Sequence, residues 1–242
     1  MIDIHCHILP GFDDGPQHLE EALKMAKIAV KDGIHTIVAT PHCFDDVYDC
    51  QQKDIDLACQ ELEQACVDRG IKLRIVPGAE VRITPEFIEH FNDNQIPLLG
   101  KAGEAVLLEL PQMFIIDGIT RIIRLLQGKS VRCIVAHPER NSQIVSRPDI
   151  VPILVHSGAE MKITAGSLLG DFGKEQKQLA IQILESSACC WLASDAHCSR
   201  RRTPKLKKAL KVAGKIIGKK SVKKLVSCDI DRTNMYKATQ VS

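Results

Sequence analysis

The chain has 242 residues, of which 45% are hydrophobic and 26% are charged. This length suits one α/β barrel or two small domains with a sizeable core, and the composition is that of an ordinary globular protein. The formal net charge of +2 argues against a general affinity for nucleic acid or membranes. No stretch reaches the roughly 18 apolar residues of a membrane span and no charged leader precedes the first apolar run, so we expect a cytoplasmic protein.

Seven short runs rich in Val, Ile and Leu predict β-strands along the chain. They cover residues 1–7, 34–42, 73–80, 105–111, 131–137, 160–164 and 191–197. Segments with helical spacing of apolar residues separate them, at about residues 19–30, 54–67, 117–126, 148–155, 175–185 and 203–217. This alternation predicts parallel strands joined by right-handed crossovers.

Seven strands are one fewer than the eight of the common closed α/β barrel. We therefore predict an α/β fold with a distorted seven-stranded (β/α)7 barrel and outer helices, with an open doubly wound sheet as the alternative. No linker rich in Pro, Gly or Ser divides the sequence. We expect a single domain over residues 1–242.

Six of the seven runs carry a His, Asp or Glu at or near the carboxyl end. In parallel barrels this end forms the active face, because its loops are free to carry chemistry while the strands form the core. The candidate metal ligands at these ends and in the loop after the first run are His5, His7, Asp13, Asp14, His42, Glu80, Glu109, His137, Asp195 and His197. Burying such groups without a partner or a metal is costly, so we predict a multinuclear metal site.

The spacing and type of these residues favour hydrolysis. His5 and His7 are two residues apart and therefore face the same side of an extended strand, and Asp195 and His197 repeat this spacing. Mixed imidazole and carboxylate ligands suit Zn, Mn or Fe. Paired metals about 3.5–4 Å apart can clamp an in-line displacement and generate hydroxide near pH 7. We therefore expect metal-bound hydroxide to attack a phosphate ester.

The chain contains ten cysteines but no Cys-x-x-Cys pair. Cys133, Cys189 and Cys190 lie within apolar runs, where a free Cys behaves as a small hydrophobic residue. We expect reduced thiols rather than disulfides or thiolate-bound metal.

A basic stretch covers residues 200–224, which hold twelve Lys or Arg and no acidic residue. Because the whole chain has a net charge of +2, the remainder carries −10. The stretch is either a solvated helix face or a docking surface for an acidic or phosphorylated partner or nucleic acid. It has no aromatic residues, which weakens the nucleic-acid interpretation, and we expect no nucleic-acid partner.

The combination of motifs resembles a known family. MIDIHCHILPGFDDG, ATPH, PGAEVRI, LLELP, VAHPERN, ITAGSLLGDFGK and ASDAH follow in order from residue 1 to about 203. Together they resemble the PHP superfamily, and within it the bacterial manganese-dependent tyrosine-protein phosphatases of capsule and exopolysaccharide operons. The resemblance implies a distorted seven-stranded barrel with a three-metal centre, in which Mn²⁺ is the expected cofactor and Fe or Zn the alternatives.

The resemblance also implies roles for individual residues. One metal would bind His5, His7, Glu80 and Asp195, a second Glu80, Glu109 and His137, and a third Asp14, His42 and His197. Arg140 would bind phosphate, with a salt bridge to Glu139 as its alternative role. A second arginine after the Asp-x-His motif would assist, and among Arg200, Arg201 and Arg202 we favour Arg202.

The resemblance implies phosphotyrosine of a protein as substrate, on a bacterial tyrosine autokinase, and leaves a homo-oligomer open. The nearest alternative keeps this site but acts on a small metabolite such as histidinol phosphate. An amidohydrolase also begins with His-x-His but usually has a carboxylated Lys on a middle strand, whereas this chain has Glu109 there. A non-catalytic module that binds nucleic acid through the basic stretch is the third alternative.

Overall fold

The computed structural model describes residues 1–44, 47–100 and 104–227. Within these ranges the strands are β1 (Ile2–Cys6), β2 (Thr36–Ala39), β3 (His42–Cys43), β4 (Arg74–Pro77), β5 (Glu80–Arg82), β6 (Ala105–Glu109), β7 (Arg132–Ala136), β8 (Ala159–Thr164) and β9 (Cys189–Ala193). The helices are α1 (Leu19–Lys31), α2 (Gln52–Asp68), α3 (Phe87–Asn92), α4 (Ile119–Gly128), α5 (Ser142–Ser146), α6 (Ile150–His156), α7 (Ala165–Leu169), α8 (Lys174–Glu185), α9 (Lys207–Ile216) and α10 (Lys219–Lys224).

Two of the seven predicted strand runs are each divided into two strands. Thr40 and Pro41 separate β2 from β3, and Gly78 and Ala79 separate β4 from β5. Pro41 has no N–H to donate to a ladder. A Cβ at Gly78 would lie 2.7 Å from a methyl of Leu99 and 2.8 Å from one of Val38, so only glycine allows this close approach.

All strand pairs in the described residues are parallel, as the alternation of strands and helices predicts. One sheet has the order β1-β2-β4 and the other the order β3-β5-β6-β7-β8-β9. Each divided run thus belongs to both sheets, β2 and β4 lying in the first and β3 and β5 in the second. The fold is α/β with parallel sheets.

The two sheets also approach each other beside β1 and β9. Cys6 forms an isolated parallel bridge with Ala196. The amide of Asp195 donates to the carbonyl of His5 at 2.8 Å, and the amide of His7 donates to the carbonyl of Ala196 at 2.9 Å. These bonds place the first and last predicted ligand pairs side by side, although they are about 190 residues apart in sequence.

The helices cover the outer faces of the sheets with the apolar sides that their periodicity predicts. In α1 the buried residues are Ala22, Leu23, Met25, Ala26 and Ala29. The helix predicted over residues 203–217 is shorter in the structure, where α9 begins at Lys207 and ends at Ile216. Gly218, at φ +83°, separates α9 from α10. Among the described residues, no helix combines the length and the apolar character needed to cross a bilayer.

The expectation of reduced thiols is wrong at one place. Cys43 and Cys50 form a disulfide, and their Cα atoms are 5.6 Å apart. No spacing pattern indicates this pair, because β3 and the residues before α2 come together only through the fold. Cys133 is free and buried, which agrees with its prediction as a small hydrophobic residue, whereas Cys190 is free and half-buried. The side chain of Cys189 lies outside the described residues. Cys6, Cys59 and Cys66 are also free and buried.

Candidate metal centre

The carboxyl ends of the strands bring the nine residues implied as ligands to one place. Eight of them form three groups in which the ligand atoms lie within 4.8 Å of one another. These groups are His5, His7, Glu80 and Asp195; His42, Glu80 and Glu109; and His7, Asp14, His42 and His197. The ninth, His137, places Nε2 2.8 Å from Oε1 of Glu80.

The first group is the set that the family resemblance implies for one metal. His5 Nε2 lies 3.1 Å from Glu80 Oε2 and 3.4 Å from Asp195 Oδ1. His7 Nε2 lies 3.0 Å from His5 Nε2. Because the two imidazoles are two residues apart at the end of β1, they face the same side, as their spacing predicts. All four side chains are buried.

The other groups differ in detail from the implied sets. His42 Nδ1 lies 3.3 Å from Glu80 Oε2 and 3.8 Å from Glu109 Oε2. His137 approaches the opposite carboxylate oxygen of Glu80. Glu80 therefore contacts imidazoles through both oxygens, which is the arrangement that a bridging carboxylate needs. Which histidine serves which ion stays a prediction.

Asp13 orients two of these histidines without belonging to a ligand group itself. Its Oδ2 lies 2.6 Å from His7 Nδ1 and accepts a hydrogen bond from the amide of His42 at 3.0 Å. Its Oδ1 accepts from the amide of Gly15. Carboxylates that hold the outer nitrogen of an imidazole fix the ring and its tautomer, so that the inner nitrogen can bind a metal.

The backbone is strained at two of the nine positions. His137 has φ +31° and Asp195 has φ +54°, in the left-handed region that residues other than glycine rarely adopt. Each such conformation costs on the order of 1–3 kcal/mol and is found mainly where function requires it. At Asp195 the hydrogen bond from its amide to His5 holds the conformation.

The pKa values reflect crowding of buried charges. Burial alone would raise the pKa of Glu80, but His5 and His137 beside it lower that pKa well below its usual range. Burial and the neighbouring Glu80 raise the pKa of Glu109 to about 8. A hydrogen bond with His197 lowers the pKa of Asp14 to about 2. Without a metal the site thus holds some carboxylates charged and favours a proton on Glu109.

Two arginines border the ligand groups. Arg140 Nη1 lies 2.5 Å from Asp195 Oδ2, and Arg202 Nη2 lies 2.8 Å from Asp195 Oδ1. The ring of Phe172 lies beside both guanidinium groups, with centroid distances of 4.8 Å to Arg140 and 5.9 Å to Arg202. Arg140 therefore pairs with Asp195 rather than with Glu139, and Arg202 is the arginine of its cluster that reaches the site.

Comparison with known proteins identifies the family. The family described as "Capsular polysaccharide synthesis, CpsB/CapC" matches residues 1–232. The chain belongs to this family. The tyrosine-protein phosphatase YwqE of Bacillus subtilis (strain 168) is 36% identical over 218 residues, which are 90% of this chain and 85% of YwqE.

Solved structures agree with the CpsB/CapC assignment. One comes from work on YwqE from Bacillus subtilis and CpsB from Streptococcus pneumoniae, described as metal-dependent tyrosine phosphatases. This structure is 36% identical in sequence to the present chain and superposes with a TM-score of 0.89. The match covers 93% of the present chain and 91% of the other chain. A histidinol phosphate phosphatase from Lactococcus lactis, at 16% identity and a TM-score of 0.57 over 91% and 93% of the two chains, shares the fold.

The donors in this CpsB/CapC chain fit divalent metal ions. Oε2 of Glu80 lies within 3.3 Å of nitrogens of His5, His7 and His42. Oε2 of Glu109 is buried and has no hydrogen-bond partner among the described residues. Such close packing of imidazole nitrogens and carboxylate oxygens, without thiolates, suits first-row divalent cations.

Sequence reasoning missed Lys162 and Phe172, and it considered Glu139 only as a possible partner of Arg140. Lys162 is fully buried in β8, and its Nζ donates to Thr164 Oγ1 at 2.9 Å. Glu139 is also fully buried and accepts from the amide of Thr164 at 2.9 Å. Lys162 could have been noticed, because it is a charged residue within an apolar run. The position of Phe172 beside two arginines could not, because it depends on tertiary structure.

Proposed function

We propose that this chain is a metal-dependent phosphatase that removes phosphate from phosphotyrosine of a protein in capsule or exopolysaccharide synthesis. The observation that carries the proposal is the convergence of nine imidazole and carboxylate side chains beside two arginines. Membership of the CpsB/CapC family, whose relatives are named tyrosine-protein phosphatases, supports the choice of phosphotyrosine.

The nine residues would hold three divalent ions, with Mn²⁺ proposed and Fe or Zn as alternatives. His5, His7, Glu80 and Asp195 would bind the first. Glu80, Glu109 and His137 would bind the second, and Asp14, His42 and His197 the third. Such ions supply positive charge for the phosphoryl oxygens and lower the pKa of coordinated water.

Arg140 and Arg202 would bind the substrate phosphate. A guanidinium presents two parallel N–H donors that match two phosphate oxygens. Both arginines contact the carboxylate of Asp195 and lie beside the ring of Phe172, so a phosphate held by these arginines would lie next to a proposed metal ligand. Tyrosine has a pKa near 10, which makes its phenolate a good leaving group without a strong general acid.

We propose that the strands form a distorted seven-stranded barrel in a single domain. A cluster of buried apolar residues supports this, because strands of both sheets contribute to it. Its members include Ile4, Val38, Val76, Leu107, Ile134 and Trp191. The bonds between the residues after β1 and β9 bring the remaining edges together. The divided runs then count as one barrel strand each.

The remaining assignments extend the same proposal. The substrate protein is a bacterial tyrosine kinase, and the enzyme acts in the cytoplasm with no nucleic-acid partner. The kinase comes from the family resemblance alone. A homo-oligomer stays a prediction.

The test compares phosphate release from a phosphotyrosine peptide and from histidinol phosphate at equal enzyme concentration with Mn²⁺. We expect the peptide to be hydrolysed with the higher kcat/KM. The His5→Ala variant should lose both turnover and bound metal, because its imidazole contacts Glu80 and Asp195. A preference for histidinol phosphate, or full activity of His5→Ala, would contradict the proposal.

A further inference from the structure

The basic stretch presents exposed cations on the folded chain. Its exposed side chains, which we call the cationic surface, are Arg200, Arg201, Lys205, Lys207, Lys208, Lys211, Lys215, Lys219, Lys220, Lys223 and Lys224. Among the described residues, none of these side chains forms a salt bridge within 4.0 Å. The rest of the chain carries a formal charge of −10, so the charge of this protein is strongly segregated.

The placement of these lysines opposes helix formation. Both α9 and α10 begin with two lysines and have no acidic residue in the first turn. Cations are unfavourable there, because the amino terminus of a helix is the positive end of its dipole. Lys207, Lys211 and Lys215 also repel one another, since residues four apart are neighbours on a helix.

Helix α1 of the same chain shows the usual arrangement. Glu20 and Glu21 lie in its first turn and Lys31 in its last, in agreement with the helix dipole. Solubility alone would be served by mixed charges of this kind. Clustered lysines lower the stability of α9 and α10, and a local cost of this kind is expected where the clustered charge has a function.

The packing of the cationic surface restricts its partner. The apolar side of α9 and α10 is used within the protein, with Leu206, Ala209, Ala213 and Val222 buried. The surface therefore presents no apolar face for insertion into a bilayer. Residues 200–224 also contain no aromatic side chain on which a nucleic-acid base could stack.

The same segment leads directly into the metal centre. Arg202 contacts Asp195, and its carbonyl accepts a hydrogen bond from the amide of His197 at 2.9 Å. Arg200 and Arg201 are exposed immediately beside it. Helix α9 packs against α7, and the loop after α7 carries Phe172 to both site arginines. An extended polypeptide whose phosphotyrosine lies at Arg202 can therefore contact the exposed side chains of Arg200 and Arg201.

We propose that the cationic surface docks an acidic segment, rich in Asp and Glu, of the same protein whose phosphotyrosine enters the metal centre. The inference rests on the proposed phosphatase function. Ammonium and guanidinium groups that form no salt bridge among the described residues complement carboxylates, and complementary charge increases the rate of encounter and fixes the register of the partner. The surface thus selects a substrate by the sequence around its phosphotyrosine.

The experiment uses two phosphotyrosine peptides of equal length, one with Asp and Glu and the other with Ser and Gln around the phosphotyrosine. The full chain is compared with a triple variant, Lys208→Gln, Lys211→Gln and Lys215→Gln. The matched control changes Lys27, Lys53 and Lys72 to Gln, since these lysines are exposed and lie outside the surface. p-Nitrophenyl phosphate reports turnover that needs no docking.

We expect the unmodified chain to prefer the acidic peptide by about tenfold in kcat/KM at low salt, and the preference to fall as salt rises. The triple variant should lose most of this preference through KM, with kcat and p-nitrophenyl phosphate hydrolysis unchanged. The control variant should behave as the unmodified chain. The salt dependence of the unmodified chain tests docking even if a variant is unstable.

Equal kcat/KM for the two peptides at low salt would overturn the inference while leaving the phosphatase function intact. Absence of p-nitrophenyl phosphate hydrolysis with Mn²⁺ would instead contradict the proposed function itself. Flotation with vesicles of phosphatidylserine and phosphatidylcholine provides the membrane comparison. If the triple variant lost vesicle binding but kept its peptide preference, the surface would bind membranes and the inference would be wrong.

Discussion

At the scale of single residues, the site depends on side chains that position other side chains. Asp13 holds the ring of His7, and Phe172 lies against Arg140 and Arg202. Motifs rich in His and Asp predicted which side chains would converge as candidate ligands, since chemistry restricts the residue types that bind metal. They could not predict Phe172, because an aromatic residue in a loop has many possible roles and only the fold brings it to the arginines.

Replacing Phe172 with Leu should weaken phosphate binding. The substitution removes cation–π contacts of about 0.5–1 kcal/mol each with the two half-buried guanidinium groups, and both arginines then occupy more rotamers. We expect a several-fold rise in KM for p-nitrophenyl phosphate with unchanged metal content, measured by steady-state kinetics and elemental analysis. Phe172→Tyr should restore KM. A loss of metal in Phe172→Leu, or no change in KM, would contradict this role.

Metal binding should release protons near neutral pH. The pKa of Glu109 is raised to about 8 in the metal-free protein, so this group holds a proton that it must lose to bind a cation. Metal affinity should therefore rise with pH through the region near pH 8 in which Glu109 loses its proton. Burial lowers the pKa values of His5, His137 and His197, whereas at His7 the hydrogen bonds with Asp13, Asp195 and Glu80 outweigh burial and raise the pKa, so His7 gives up a proton as well.

Calorimetric titration of metal-free protein at pH 7, in two buffers with different ionisation enthalpies, measures this proton release. The Glu109→Gln variant should release fewer protons. By the same reasoning, the raised pKa of Glu109 makes its contribution to the free energy of unfolding fall between about pH 4.5 and 8, since only the folded state keeps the proton there. Heat that is independent of buffer would contradict the assignment.

At the scale of elements, the sequence predicted the strands better than their division. Each of the seven apolar runs contains a strand, because hydrophobic runs of this length are buried on both faces of a parallel sheet. The breaks at Pro41 and Gly78 were visible as residue types, but the close approach of Leu99 and Val38 to Gly78 was not. The short helices α3, α5 and α7 have too few turns to show a period.

Strand β8 carries a charge into the core. Lys162 is fully buried, and Asp195, Glu139 and Glu80 favour its charged form although burial lowers its pKa. Removing one partner of a buried charge network leaves the others uncompensated and typically costs about 3–5 kcal/mol. Lys162→Met should therefore lower the free energy of unfolding of the metal-free protein by an amount in this range.

Urea denaturation followed by circular dichroism measures this effect. Lys72→Met is the matched control, because Lys72 is exposed and its replacement should change stability little. Equal stability of Lys162→Met and the unmodified chain would show that the buried ammonium does not compensate these carboxylates.

At the scale of the whole molecule, charge and fold act together. The carboxyl ends of the strands gather acidic and imidazole groups, while residues 200–224 keep the positive charge at the surface beside them. The sequence shows this segregation directly, since net charge is additive along a chain. It does not show that Cys43 and Cys50 form a disulfide, because that pairing depends on tertiary structure.

The central claim is that nine converging side chains hold the divalent ions needed to hydrolyse phosphotyrosine. The most direct test measures phosphate release from a phosphotyrosine peptide while metal-stripped protein is titrated with Mn²⁺. We predict no release before Mn²⁺ is added and a saturable recovery of activity afterwards. Undiminished release by the metal-stripped protein, or no release at saturating Mn²⁺, Fe²⁺ or Zn²⁺, would contradict the account.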